Sequence, residues 1–299
     1  MNLTWLEDFL ALAASGNFSR AAQDRASSQP AFSRRIRALE DWIGVALFDR
    51  SSQPATLTDA GEWFRGVAED LLARVARLPG EARRIQDADT LTLRIASTHA
   101  LSFTFLPPWL RQLESEAPLG QVQLMSDVLA RCEALMLQGK VQFVLSHAHA
   151  KAPGALDAEP YRSARVGADS LVPVSQPDAA GHPRHALFAG GGALLSYTGE
   201  SGLGRILDAV LGRRLARVVP RTAFSAHAAS VLRTMALDGR GLAWLPETLV
   251  RDDLALGRLV AAGADDWHVP LEIRLYRERT PLGAVAEAFW RSAAAPAHG

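Results

Sequence analysis

From Asp59 to Ile85 the chain reads as one long helix. Ala60, Phe64, Val67, Leu71, Val75 and Leu78 repeat every three or four residues, which lays a single apolar seam along one side. A helix cannot bury its own seam. It needs either the core of its own chain or a second copy, and the coiled-coil spacing predicts a homodimer paired through this helix. Thr58 is placed to cap its start, and Glu62 sits where the positive end of the helix dipole favours an acid. Pro79-Gly80 either ends the seam or bends it; both readings stay open. The helix also divides the chain, because the rhythm before it differs from the rhythm after it.

Before it, short helices alternate with polar breaks. Leu3, Leu6, Leu10 and Ala13 recur at helical spacing, Phe9 and Leu12 widen the stripe, and Gly16-Asn17 ends the helix. A second helix starts at Phe18, with Ala21 and Ala22 small enough for close packing. After Ser27-Ser28 a third runs over 29–42, with Pro30 in its first turn and Phe32, Ile36, Leu39 and Ile43 on one face. Residues 47–50 and 55–58 read as two strands around the turn Ser51-Ser52-Gln53-Pro54, which makes a wing.

After the long helix, apolar strands alternate with amphipathic helices. Strands are expected at 91–96, 122–125, 141–145, 170–174, 193–197, 217–219, 241–245 and 271–276. Helices are expected at 108–116, 128–138, 202–211, 227–237 and 284–290. Such alternation implies a parallel sheet in an α/β domain. The predicted organisation is α/β multidomain: a winged helix-turn-helix over 1–58, a linker helix over 59–89 and a two-lobed α/β domain over 90–299. Lobe I is 90–160 with 267–299, and lobe II is 161–266.

Charge decides where function can sit. The 299 residues carry 32 basic and 32 acidic side chains, so any nucleic-acid surface must be local. Between Asn17 and Arg37, the five arginines Arg20, Arg25, Arg34, Arg35 and Arg37 stand against one acid, Asp24. The single cysteine, Cys132, excludes an internal disulfide framework and a Cys-based zinc site, and fits a reducing compartment. The start, MNLTWLEDFL, carries acids where a secretory leader carries positive charge. No apolar run approaches the ~18 residues of a membrane span. A cytoplasmic address away from membranes is expected.

The third helix has the character of a DNA reader. Ser28, Gln29, Ser33, Arg34 and Arg37 lie opposite its apolar face, with Ser19 and Arg20 at the start of the helix before it. Gln and Arg pair bidentately with adenine and guanine edges, and Arg and Ser also hold phosphates. Helix, break, basic helix, wing and long helix, in that order, point to double-stranded DNA as partner.

These residues resemble the LysR-type transcription regulators. The resemblance is carried by residues 9–22 (FLALAASGNFSRAA), 28–40 (SQPAFSRRIRALE), 44–50 (GVALFDR) and 57–61 (LTDAG). It is dense over the first 60 residues and looser beyond. It implies a winged helix-turn-helix, a linker helix that pairs subunits, a periplasmic-binding-protein-like effector domain, assembly to tetramers, a small-molecule effector, no cofactor and no enzyme activity. Position by position, Gln29, Pro30, Ser33 and Arg34 match the recognition helix, and Arg50 matches the wing's phosphate contact. Residues 29–40 and 238–247 are similar to the branch that senses hypochlorite by methionine oxidation, which makes an oxidant the alternative signal. Against it, Leu203 stands where a sensing methionine is expected, and the chain has four Met.

An effector pocket is expected where parallel strands end and helices begin. Those ends carry Thr98 and His99, Ser126 and Asp127, Ser146 and His147, Thr198, Glu200 and Ser201, and Ser225 and His227. Hydroxyls, helix amides and histidines suit a carboxylate or similar anion, although any one of these residues could simply cap a helix. His147-Ala148-His149 has metal-ligand spacing, but with no acid or Cys nearby no metal is assigned. Gly199-Glu200-Ser201-Gly202 lacks the fifth-position glycine of a nucleophile elbow, so no hydrolase is assigned. Cys132, beside Leu135 and Met136, reads as buried and inert. A two-lobed solute-binding protein is the alternative from another class.

Overall fold

The computed structural model describes residues 2–51, 54–86, 92–116, 119–187, 192–218 and 221–295. The turn residues Ser52 and Gln53, the strand start Leu91, Val219 and the expected boundary at 89/90 lie outside them. The chain forms two compact units, divided between Pro79 and Gly80.

In the first unit, α1 (Leu3–Ser15) starts on Asn2, whose side chain accepts from Trp5 N–H at 3.0 Å. It ends at Gly16, left-handed at φ 60°. Gly16 is needed twice over. A Cβ there would lie 2.8 Å from Pro54 Cβ, and its carbonyl accepts from Ala55 N–H at 2.9 Å, so the base of the wing sits on this turn. Asn17 then caps α2 (Phe18–Asp24) by accepting from Ser19 and Arg20 N–H. α3 (Gln29–Ile43) carries Pro30 in its first turn and ends at left-handed Gly44. β1 (Phe48–Asp49) and β2 (Thr56–Leu57) pair antiparallel as the wing.

The core joins Leu6, Phe9, Leu12, Phe32, Ile36, Leu39 and Phe48 to Phe64 and Ala68 of α4 (Asp59–Gln86). Phe9 sits 5.2 Å from Phe48 and 5.0 Å from Phe64, ring centre to ring centre. The stripe of α1 is therefore centred on Leu6, Phe9 and Leu12. Leu3, expected inside, is exposed on the first turn of α1.

α4 runs unbroken through Pro79. Thr58 Oγ1 accepts from Gly61 N–H at 3.1 Å and donates to Ala46 O, fixing its start. Its seam is split. Phe64 and Ala68 are consumed by their own core, while Leu71, Leu78 and neighbouring Trp63 are left exposed.

The second unit opens with β3 (Thr92–Thr98), α5 (His99–Thr104), α6 (Leu106–Glu116), β4 (Gln121–Asp127), α7 (Leu129–Leu137), β5 (Phe143–Ala148) and β6 (Tyr161–Ser175). β7 (Ala193–Tyr197), α8 (Gly202–Val218), β8 (Arg221–Ala226), α9 (Ala229–Leu237), β9 (Ala243–Pro246) and α10 (Glu247–Ala255) follow. β10 (Val260–Ala261), β11 (Val269–Glu278) and α11 (Ala284–Ala294) complete it.

The main sheet has the order β10-β6-β11-β5-β3-β4, with β9 also on β6. β3 pairs parallel with β4 and β5, but β11 runs antiparallel to both β5 and β6. The sheet is thus mixed, where a parallel one was expected. The long strands β6 and β11 pair along ten residues and serve both halves of the unit. One core, with Leu93, Trp109, Phe143, Ile273 and Phe289, lies under α6 and α11; another, with Leu195, Ile206, Leu232, Trp244 and Val250, lies among α8, α9 and α10. Arg217 and Val218, expected in a strand over 217–219, instead close α8, whose Leu207, Leu211 and Leu215 carry helical spacing into the core.

Candidate DNA-binding surface and effector pocket

At the start of α3, Ser28, Gln29, Pro30, Arg34 and Arg37 are exposed and Ser33 is half-buried. Ser28 occupies the N-cap position, yet its hydroxyl makes no capping bond. Gln29 Nε2 donates to Ser33 Oγ at 3.4 Å. Ser19 and Arg20 of α2, Gln29 and Arg50 line one open concavity of about 660 Å³ between the helices and the wing. Arg34 and Arg37 lie further along α3, outside it. Arg50 is held by an ion pair to Glu40 and lies 5.7 Å from the Phe18 ring centre. Glu40 also accepts from Leu47 and Phe48 N–H, so it organises the approach to the wing.

The basic run is less free than its count suggests. Asp8 of α1 is fully buried and pairs with both Arg25 and Arg35, and Arg25 also pairs with Glu7. These two arginines tie α1 to the end of α2 and to α3. Among the described residues Arg20, Arg34 and Arg37 have no protein partner, so three of the five face solvent unpaired.

In the second unit, Thr98, His99, Asp127, His147, Ser201 and His227 line one small cavity of about 30 Å³. Between them stand the first residues of α7, α8 and α9: Leu129, Gly202 with Leu203, and Ala229. First-turn N–H groups have no acceptor inside their own helix, so the cavity is ringed by positive helix ends. Thr98 Oγ1 is buried without a hydrogen-bond partner. Ser126 reaches the site through His99, its Oγ 3.0 Å from His99 Nδ1. Ser146 lines an adjoining cavity of about 20 Å³ that shares His147, Leu129 and Gly202. Thr198, Glu200 and Ser225 line neither; Thr198 is in the turn before α8, and Glu200 and Ser225 are exposed.

Asp169 and Thr248, which hold the expected His147 in place, were missed from sequence. His147 is buried, and its Nε2 lies 3.2 Å from Asp169 Oδ2 in β6. Asp169 also accepts from Thr248 Oγ1 at 2.6 Å, Thr248 N–H and Ser170 N–H. Burial pushes the Asp169 carboxyl up, but His147, Thr248 and the Ser170 amide outweigh it and hold it below the usual carboxylate range. The only sequence signal was a lone acid among small residues in a strand.

His149 lies past the end of β5 and accepts from Lys151 N–H at 3.0 Å; burial, then Lys151, lowers its pKa. Among the described residues no group of three His, Cys, Asp or Glu could hold a metal. Cys132 is buried, and burial pushes its thiol up to about 12. The methionines Met125, Met136 and Met235 do not line the cavity; Leu203 does.

Residues 3–62 match the model for bacterial regulatory helix-turn-helix proteins of the lysR family, and residues 86–295 match the LysR substrate binding domain. The chain belongs to the LysR family of transcription regulators. A relative, the HTH-type transcriptional regulator YjiE of Escherichia coli K12, is 34% identical over 96% of this chain and 92% of its own. Among solved structures, full-length HypT of Salmonella typhimurium, described as a hypochlorite-specific LysR-type regulator, is 33% identical with TM-score 0.59, over 97% of this chain and 96% of that one. Vibrio fischeri DarR in complex with DNA is 28% identical with TM-score 0.60, covering 99% of both chains. As a LysR-type regulator the chain is a DNA-binding transcription factor with an effector-binding domain, and not an enzyme. Among its described residues no helix is long and apolar enough to cross a membrane.

Proposed function

We propose that this LysR-type regulator reads promoter DNA with Gln29, Ser33, Arg34 and Arg37 of α3, and holds phosphates with Ser19, Arg20, Ser28 and Arg50. Pro30 sets the first turn of the reading helix. Its DNA partner is double-stranded, and its working place is the cytoplasm. Two copies pair through the part of the α4 seam that their own core leaves open, at Leu71, Leu78 and Trp63, and dimers pair again to tetramers. A small effector enters the cavity of Thr98, His99, His147, Ser201 and His227. Its binding shifts the two halves of the second unit and changes how paired subunits space their recognition helices. The observation that carries this reading is the exposed start of α3, where Arg34 and Arg37 find no partner among the described residues and a phosphate or a guanine edge would supply one.

The test is binding to the DNA upstream of its own gene, measured by fluorescence anisotropy at about 50 and 200 mM salt. Affinity well above that for scrambled DNA, falling steeply with salt, is expected. Equal, weak affinity for both DNAs would overturn the reading.

A further inference from the structure

Glu40 is an acid on the same helix as Gln29 and Arg34, beside the proposed phosphate contact Arg50. By charge alone it opposes DNA. Its two oxygens show what it does there. Oε1 accepts from the backbone N–H of Leu47 at 2.9 Å and of Phe48 at 3.2 Å. Oε2 accepts from Nη2 of Arg50. The loop bonds give no reason for a charge, because an amide oxygen also has two acceptor sites. The loop is tied elsewhere too: Thr58 Oγ1 donates to Ala46 O, and Thr58 N–H to Leu47 O. The negative charge is therefore directed at Arg50.

Arg50 follows directly on β1 and lines the concavity that Ser19, Arg20 and Gln29 share. Its guanidinium lies over the ring of Phe18, 5.7 Å from the ring centre. Phe18 is itself fixed, with its ring centre 6.3 Å from that of Phe32 and 6.5 Å from that of Phe48, both buried in the core. Glu40 holds one end of the guanidinium and Phe18 supports its face. A guanidinium has five N–H donors on three nitrogens. Nε and Nη1 of Arg50 have no partner among the described residues, and the side chain is 39% exposed whereas Glu40 is 11% exposed.

A free arginine gives up rotamer freedom when it grips a phosphate, and that loss subtracts from affinity. Arg50 has given it up already, on an acid of α3 and a ring of α2. The grip of the wing is thereby set from the helix that reads bases.

We propose that Glu40 is a positioning residue for DNA binding: it keeps Nη2 of Arg50, so that Nε and Nη1 meet a backbone phosphate, and it stays paired with Arg50 in the complex. The inference rests on the reading of Arg50 as a phosphate contact and adds the residue that aims it.

The test is a double-mutant cycle of Glu40→Gln and Arg50→Ala in the full chain. Anisotropy is read on the DNA upstream of its own gene and on scrambled DNA, at about 50 and 200 mM salt. Glutamine keeps the acceptor for Leu47 and Phe48 but puts an NH2 where the guanidinium needs an oxygen. With Arg50 present, Glu40→Gln should weaken binding about three- to tenfold. In the Arg50→Ala chain the same change should leave affinity unchanged or raise it up to about threefold, because it then removes only a repulsion of phosphate. Equal losses in both backgrounds overturn the inference, since Glu40 then only shapes the loop. So does tighter binding of Glu40→Gln with Arg50 present, which makes Glu40 a competitor of the phosphate. Urea midpoints show whether each variant folds. Should Glu40→Gln not fold, Arg50→Lys carries the test. An ammonium lacks the second edge of a guanidinium, so its affinity should fall to within about threefold of that of Arg50→Ala; native affinity overturns the inference. A phosphate contact forms on any sequence, so the two readings separate. A chain with the expected cycle but equal affinity for both DNAs keeps this inference and loses promoter reading. A chain that prefers its promoter but shows no coupling loses this inference and keeps its reading helix. Native affinity in Arg50→Ala removes the phosphate contact and this inference with it.

Discussion

Arg34 and Arg35 are neighbours of the same chemical type, yet the structure gives them opposite fates, and substituting each with alanine separates the two. Arg35 Nε pairs with the fully buried Asp8, and its guanidinium lies 6.0 Å from the Phe32 ring centre. Breaking a buried pair by removing one partner costs roughly 3–5 kcal/mol. Arg35 is 28% exposed and Arg25 remains on Asp8, so solvent and the second guanidinium reduce this to about 1–3 kcal/mol. For a unit of this size, ~2 kcal/mol lowers Tm by roughly 8–16 °C. Arg34 is exposed and unpaired, so Arg34→Ala should change stability by less than ~0.5 kcal/mol. Its loss should appear on DNA instead: affinity about 10-fold lower or more, and a log–log salt slope smaller by ~1 if the contact is to phosphate. Urea unfolding of the full chain and anisotropy against promoter DNA at several salt concentrations provide the two readouts. Equal destabilisation by both variants would refute this division of the arginines. So would an Arg35→Ala chain with a native urea midpoint and a reduced salt slope.

Other outcomes follow from particular contacts. Fully buried Arg277 forms a two-pronged pair with Glu287, which also accepts from Leu282 N–H, and the Glu287 carboxyl is held down at about 2 from 4.5. A depressed acid stabilises above its unfolded pKa and loses that contribution as pH falls from about 4.5 toward 2. Discounted for the partial exposure of Glu287, Glu287→Gln should cost about 2–3 kcal/mol at pH 7 and little near pH 2, and denaturation at several pH values checks both ends. Trp63→Glu with Leu71→Glu puts charge on the open part of the α4 seam, so sedimentation should show dimers dissociating at concentrations where the native chain stays paired; an unchanged mass would count against pairing through this helix. Gly16→Ala combines a left-handed φ with a 2.8 Å approach to Pro54 and should cost about 2–3 kcal/mol by urea titration, whereas Gly44→Ala, left-handed but in open space, should cost only about 1 kcal/mol.

The first unit was legible because its information is local. Caps, breaks and an apolar face repeated at helical spacing sit within a few residues of one another, and Asn17, Pro30, Gly16 and Gly44 perform the roles their positions imply. The second unit was legible in its alternation but not in its strand directions. Nothing near Leu271 tells that β11 returns antiparallel between β5 and β6, and residues 161–169 lack the apolar run that would have announced half of β6. The seam of α4 was read as one stripe, since periodicity does not say which turns the chain's own core will use. The pocket was legible as a rule about strand ends, and it gathered six residues from three strands and three helix starts. Glu200 and Ser225 obey the same rule and still fall outside, because the rule fixes the end of a strand and not the direction of each side chain.

The pairings that decide function were not legible, for one physical reason: they span long stretches of chain. Asp8 and Arg35 are 27 residues apart, His147 and Asp169 22, Thr248 and Asp169 79. Sequence shows which groups can pair, and folding decides which do. Burial makes an unmatched polar group costly, so the fold consumes most of them: Arg25 and Arg35 by Asp8, Arg277 by Glu287, and Nε2 of His147 by Asp169. Among the described residues those left over include Arg20, Arg34 and Arg37 on one unit, and Thr98 Oγ1 and Thr198 Oγ1 on the other. Each is a donor that finds no acceptor among the described residues. On the proposed reading a phosphate backbone answers the arginines and the effector answers the hydroxyls, so the partners of this regulator are sought from the acceptors that its fold leaves out.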